Sequence, residues 1–313
     1  MKDFAGSIVA IVTPMREDGS LDFESLGNLI DWHIESGTAA ICVAGTTGEA
    51  STLSFDEHRE ISEFTVNRVA KRCPVMVGAG SNSTHEAVEL TLMAKQIGAD
   101  ATLQVTPYYV RPSQDGLYKH FVTVSEAVDL PMMLYNVPTR TGIDLSVETT
   151  LRLAQVPGIF GLKDATGNLE RAGALLGLRP EGFKVFSGDD ATSVPLMLLG
   201  GDGTVSVSAN VVPVAAARVS VLAKGGNAKA AAALHLKLLP LHAALFVESS
   251  PAPTKWALTT LGRASPFCRS PIVELSETAR GTVLRGMERA EAFETAVSVD
   301  LESNETPIGL ALG

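Results

Sequence analysis

Ile159-Phe160-Gly161-Leu162-Lys163-Asp164-Ala165-Thr166-Gly167 is a short apolar run that carries one lysine and then breaks at Ala-Thr-Gly. The pattern reads as a buried strand delivering a single amine to its C-terminal end. Taking an ammonium out of water is costly, so an unpaired lysine there lowers its pKa and becomes the free amine that attacks a ketone to form a Schiff base. The alternative is a structural ion pair, with Asp164 or with another acid.

Outward from this stretch the same grammar repeats: an apolar strand, a polar or Gly-containing break, then a helical pattern. The other strand candidates are Ser7 to Pro14, Ala39 to Ala44, Pro74 to Gly78, Ala101 to Thr106, Pro131 to Asn136, Phe183 to Ser187 and Gly203 to Ser208. With Ile159 to Lys163 they number eight, and the gaps between them leave room for one helix each, which makes the sheet parallel. Helix starts are marked by Asp22 before an apolar periodicity and by capping boxes at Ser54 with Glu57 and at Ser83 with Glu86. Gly98 and Gly200 fit C-terminal caps.

Eight β/α units favour a (β/α)8 barrel over a doubly wound sheet. Gly78-Ala79-Gly80-Ser81-Asn82-Ser83 falls short of a dinucleotide fingerprint, and Gly45-Thr46-Thr47-Gly48-Glu49 lacks the Gly-Lys-Ser/Thr of a P-loop. Helical patterns alone follow, over Val214 to Lys224, Ala228 to Phe246, Thr254 to Leu261 and Ser276 to Ala296. The expected organisation is an α/β TIM barrel over residues 1–225, an appended C-terminal helical region over 226–296, and a tail over 297–313 that frays or docks on a neighbour.

The 313 residues carry 25 basic and 35 acidic side chains, a net charge of −10 that argues against nucleic acid or an anionic membrane as partner. Cys42, Cys73 and Cys268 are odd in number and widely spaced, suggesting neither a disulfide framework nor a zinc site. No signal-like N-terminus and no run of 18 uncharged apolar residues occurs, so a cytoplasmic protein is expected.

Chemistry in such a barrel gathers where strands end. The second strand ends in Gly45-Thr46-Thr47-Gly48-Glu49, whose backbone N–H groups and hydroxyls suit a carboxylate, or equally a tight turn capping the next helix. The fourth and fifth strands end in Thr106-Pro107-Tyr108-Tyr109 and in Tyr135-Asn136-Val137-Pro138-Thr139-Arg140-Thr141-Gly142. Tyrosine and threonine hydroxyls relay protons at neutral pH without themselves ionising, as a Schiff-base lysine requires, and strand-end Lys163, Tyr135 and Thr47 are placed to meet. Glu57-His58 and His85-Glu86 lack a second metal ligand at helical spacing and read as capping or surface residues. No Gly-x-Ser-x-Gly elbow supports a serine hydrolase.

These three strand-end motifs, with Gly161-Leu162-Lys163-Asp164-Ala165-Thr166-Gly167 as a fourth, resemble those of the dihydrodipicolinate synthase family, within the pyruvate-dependent class I aldolases and lyases, from about Gly6 to Ala296. The lysine and tyrosine motifs are shared with sibling aldolases that act on N-acetylneuraminate or on 2-keto-3-deoxy sugar acids. Arg140 with the Thr46-Thr47 pair points to the synthase. The resemblance implies that Lys163 forms a covalent imine with pyruvate, without any cofactor or metal, and that the enamine adds to aspartate-4-semialdehyde on the diaminopimelate route to lysine. It further implies that Tyr135, Thr47 and Tyr109 relay protons, Tyr109 crossing from a neighbouring subunit of a homotetramer. Thr46 and Thr47 would hold the pyruvate carboxylate, Arg140 the semialdehyde carboxylate, and Gly188 and Val205 would line the imine pocket. A regulatory lysine site is implied at His58, Asn82, Glu86 and Tyr108, with Phe55 replacing the histidine or tryptophan commonly found beside that ligand. Asp164 stands where glutamate is commoner, and the tail beyond Ala296 is longer than usual.

Overall fold

The computed structural model describes residues 4–303, with side chains described from 4 to 290. The strands and helices alternate through the first two thirds of the chain: β1 (Gly6–Ala10), α1 (Phe23–Glu35), β2 (Ala40–Val43), α2 (Phe55–Val69), β3 (Val75–Gly78), α3 (Thr84–Gln96), β4 (Ala101–Val105), α4 (Gln114–Ala127) and β5 (Met132–Asn136). After the single turn α5 (Pro138–Thr141) come α6 (Val147–Leu153), β6 (Ile159–Asp164), α7 (Leu169–Leu178), β7 (Lys184–Ser187), α8 (Ser193–Leu198), β8 (Gly203–Ser206) and α9 (Pro213–Lys224). Then α10 (Ala228–Ala244), α11 (Ala252–Thr260) and α12 (Glu277–Ser303) complete the described chain.

The eight strands form one closed parallel barrel in sequence order, sealed where Ile8 of β1 pairs with Val205 of β8. Closure excludes the doubly wound alternative. Side chains alternate through the wall as strand geometry demands. Ile8, Cys42, Met76, Leu103, Met133 and Val205 fill the interior, whereas Val9, Ile41, Val77 and Leu134 pack under the helices. Phe4 stacks on Phe160, ring centroids 5.4 Å apart, within that interior cluster. The eighth barrel helix is α9, which packs on β1 and β8, and α10, α11 and α12 share its apolar cluster. Helix α12 runs past Ala296 to Ser303, and the apolar tail Ile308 to Gly313 lies outside the described residues.

One irregularity sets the orientation of the key lysine. Pairing between β5 and β6 jumps from Met132↔Ile159 to Met133↔Gly161, so Phe160 is an extra residue. Ile159 faces the outer layer, Phe160 the interior and Leu162 the outer layer again. Strict alternation from Ile159 would have turned Lys163 outward; the bulge inverts the phase and points it into the barrel.

Two readings from sequence need correction here. The first strand is shorter than Ser7 to Pro14: it ends at Ala10, Ile11 N makes the last bond to β2 by donating to Cys42 O at 3.0 Å, and Val12 N donates instead to Asn210 Oδ1 at 3.1 Å. The Ser54 box is complete, but the Ser83 box is only half formed. Glu86 N reaches Ser83 Oγ at 3.4 Å, while the Glu86 carboxylate accepts from Ser81 Oγ at 2.7 Å and leaves Ser83 N to donate to Ser81 Oγ.

Candidate active site

Register carries the site residues to the C-terminal rim together: Tyr135 lies beside Lys163, and Lys163 beside Phe186. Lys163 is 5% exposed, and its Nζ sits 4.2 Å from the centroid of the Tyr135 ring. Among the described residues no carboxylate pairs with it. The adjacent Asp164 points outward, accepting from Arg171 Nε at 2.9 Å, so the alternative of a Lys163–Asp164 pair fails on the alternation of the strand. Cys42 also faces this interior; burial pushes its thiol up to about 11 against the opposing pull of the Lys163 charge, so it stays protonated and offers no thiolate counter-charge.

The other two candidate lysines are committed elsewhere. Lys184, at the opposite end of the barrel, donates to Phe4 O at 2.8 Å. Lys255 is fully buried but ion-paired with Glu49 and donates to Phe267 O at 2.8 Å.

Gly188 closes against the lysine. A Cβ there would lie 2.8 Å from both Lys163 Cε and Ala165 Cβ, so only glycine leaves room for the extended stem. Val205 is buried in the same interior cluster.

Tyr135, whose ring the lysine rests against, borders a cavity of about 700 Å³, within the range of small-molecule sites, that Thr46 and Arg140 also line; Lys163, Thr47, Gly188 and Val205 are not on its wall. The exposed Arg140 lies on α5, in a loop that Asn136 secures by accepting from Leu145 N at 3.0 Å and donating to Asp144 Oδ1 at 2.7 Å. Thr47 is buried in the loop after β2. Of the six non-glycine residues with positive φ among the described residues, Ala44, Glu49, Tyr109 and Arg111 lie in the two loops that follow β2 and β4. Such strain, about 1–3 kcal/mol at each residue, persists only where the surroundings impose it, as they do around functional sites. Gly78 makes the Ala44 bend possible, since a Cβ on it would fall 2.1 Å from Ala44 O.

Tyr109 is not brought to the cavity. It is 87% exposed, with its backbone N bonded to Thr141 O at 3.2 Å. The cavity instead extends past Tyr108 to Phe55, His58 and Glu86, and Asn82 is not on its wall. His58 is not a surface residue as its sequence context suggests; it is 6% exposed, Nε2 lies 2.8 Å from Gly78 O, and burial lowers its pKa. No group of three or more His, Cys, Asp or Glu side chains among the described residues could hold a metal ion.

The sequence profile of the Dihydrodipicolinate synthetase family matches residues 3–290. The chain belongs to this family. The 4-hydroxy-tetrahydrodipicolinate synthase of Methylibium petroleiphilum is 57% identical over 290 residues, 93% of this chain and 99% of that protein. Among solved structures, the chloride-inhibited dihydrodipicolinate synthase of Acinetobacter baumannii complexed with pyruvate superposes with a TM-score of 0.91 at 49% identity, covering 92% of this chain and 99% of that one. The first monomeric dihydrodipicolinate synthase variant to be characterised superposes at 0.90 with 38% identity, over 92% and 97% of the two chains. The shared fold of this synthase family therefore spans the barrel and the helices that follow it.

What sequence reasoning missed is the ion pair beneath the loop after β2. In sequence Glu49 is only the end of a turn, and no periodicity marks Lys255 of α11 as its partner.

Proposed function

We propose that this protein condenses pyruvate with aspartate-4-semialdehyde, the reaction of a 4-hydroxy-tetrahydrodipicolinate synthase. The observation that carries the chemistry is a buried strand-end lysine without a carboxylate partner, its Nζ 4.2 Å from the centroid of the Tyr135 ring, which itself borders an open cavity. The relatives carry the choice of substrates, and their identity over nearly the whole chain disfavours a sibling sugar-acid aldolase.

In this reading Lys163 Nζ attacks the ketone carbon of pyruvate, and the carbinolamine loses water to leave an imine. Loss of a methyl proton gives the enamine, whose carbon adds to the aldehyde; the amine of the adduct then displaces lysine as the ring closes. Lys163 returns unchanged, and no cofactor or metal takes part. Tyr135 and Thr47 pass the protons, with Tyr109 supplied by a second subunit. The outward, strained Tyr109 supports that last assignment, because a ring projecting into solvent gains burial only against another chain. Thr46 and Thr47 take the pyruvate carboxylate, Arg140 the semialdehyde carboxylate as a bidentate fork, and Gly188 and Val205 shape the imine pocket. We place the working form as a homotetramer in the cytoplasm; among the described residues no helix is long and apolar enough to cross a membrane. We assign His58, Asn82, Glu86 and Tyr108 to a lysine-regulatory site; the continuity of the cavity from Arg140 to Glu86 supports His58, Glu86 and Tyr108, and Asn82, off its wall, rests on the family resemblance alone.

Two assays test the proposal. Borohydride reduction with pyruvate should add one pyruvate-derived mass to the Lys163 peptide, and mixing pyruvate with aspartate-4-semialdehyde should consume both. Imine trapping with no turnover of the semialdehyde would return the sibling aldolases to consideration, and no trapping at all would sink the proposal.

A further inference from the structure

Glu49 ends the loop that presents Thr46 to the cavity, and its φ of +55° is a conformation that a residue with a side chain holds only under restraint. Local bonds hold its backbone, Glu49 N donating to Thr46 O at 3.1 Å and Thr52 N to Glu49 O at 2.9 Å, and its side chain is tied to the far end of the chain. The Glu49 and Lys255 side chains are both wholly buried and form an ion pair, and Arg269 N donates to Glu49 Oε2 at 3.1 Å. Lys255 is itself fixed, donating to Phe267 O at 2.8 Å, and the Arg269 guanidinium ties the same segment to Thr52 O, Gly19 O and Glu57. On the other side Thr13 Oγ1 donates to Gly48 O at 2.7 Å. A buried ion pair is a poor device for stability alone, since apolar residues of similar volume commonly serve as well or better. In some proteins such a buried pair instead fixes one conformation among several.

We propose that Glu49 and Lys255 are positioning residues for the pyruvate site. Their pairing holds Glu49 in the left-handed conformation, which orients the Thr46 and Thr47 peptides and hydroxyls toward Lys163. Helix α11, outside the barrel wall, thereby becomes part of the catalytic apparatus without touching substrate. The proposal rests on the function assigned above and adds two residues to which neither the motifs nor the family resemblance gave a role.

The test uses the neutral pair E49Q/K255M, which avoids leaving one buried charge alone, and compares it with E49G/K255M, in which glycine adopts the same φ without restraint. Borohydride trapping is measured against pyruvate concentration, beside thermal melting. Misplacing the carboxylate site should raise half-saturating pyruvate about tenfold or more in E49Q/K255M, and E49G/K255M should recover most of that loss. A merely structural pair would lower the melting temperature of both variants and leave their pyruvate dependence at the wild-type value, which overturns the proposal. Should the double variants not fold, E49D keeps both charges and shortens the reach by one methylene; it should raise half-saturating pyruvate about threefold at least, and an unchanged value would again refute the idea. Wild-type protein that traps no pyruvate sinks the assigned function instead, so the two failures are distinguishable.

Discussion

Gly188→Ala is the most incisive perturbation of the site, because its effect follows from three distances. The added methyl would stand 2.8 Å from Lys163 Cε, 2.8 Å from Ala165 Cβ and 3.1 Å from Lys163 Cγ. Carbon atoms rest at about 3.5–4.0 Å, so something must retreat by about 0.7–1 Å. The Ala165 methyl is fixed to backbone that is itself bonded to Asn136 O at 2.9 Å, whereas the lysine stem turns on its own torsions. Lys163 therefore gives way, and its amine moves by a comparable distance. A nucleophile misplaced by about 1 Å loses about 100-fold in rate, while overpacking costs about 1–3 kcal/mol in stability. Since Gly188 is not among the positive-φ residues, alanine brings no backbone penalty that would confuse the reading. Pyruvate trapping followed by intact mass should slow by about two orders of magnitude in protein that still melts cooperatively. Wild-type trapping with an unchanged melting temperature would refute the packing argument. Wild-type trapping with a large drop in melting temperature would show that the loop had moved and the lysine had not.

Lys163→Ala should abolish both trapping and turnover, and Lys163→Arg should fail as well because a guanidinium stays protonated; an adduct mapped to Lys255 or Lys184 would overturn the site. Arg140→Ala should cost about 2 to 5 kcal/mol in selection of the semialdehyde while leaving pyruvate trapping intact, and an equal loss of both would mark the arginine as structural. Free lysine should inhibit weakly and partially, because Phe55, half exposed on the cavity wall, offers no hydrogen bond, a loss worth about two- to tenfold in affinity. Complete inhibition at micromolar lysine, or none at tens of millimolar, would contradict that estimate. Acid should destabilise the fold well above the carboxylate range. Burial, with a smaller contribution from Arg263, holds His33 neutral with its pKa pushed down from 6.5 to about 3, so the unfolded chain takes up the proton first. The stability from this residue is complete above about pH 6.5 and declines toward pH 3, by about 2 kcal/mol at pH 5. Burial acts in the same direction on His120, lowered to about 4. Melting temperature against pH should show the decline, and His33→Gln should flatten it; an unaltered slope would exclude His33 as a source.

Much of the architecture is written in local pattern. Apolar runs broken by glycine and polar residues mark all eight strands, Ser54 with Glu57 marks a helix start that forms as read, and Lys163, Tyr135, Thr46 and Arg140 arrive at strand ends because their runs stop there. These signals span a few residues, and the hydrogen-bonding period of the backbone suffices to decode them. Other outcomes depend on contacts that only the folded chain makes. Whether β6 carries a bulge is decided by pairing with β5, and that bulge, not the alternation of the strand's own sequence, turns Lys163 inward. Which buried lysine stays unpaired is decided by Glu49, more than 200 positions from Lys255. Glu86 had looked like a capping residue until Ser81, folded back from the loop before its helix, claimed the carboxylate. A side chain's partner depends on what packing brings within about 3 Å, and only the closed barrel with its C-terminal helices specifies that.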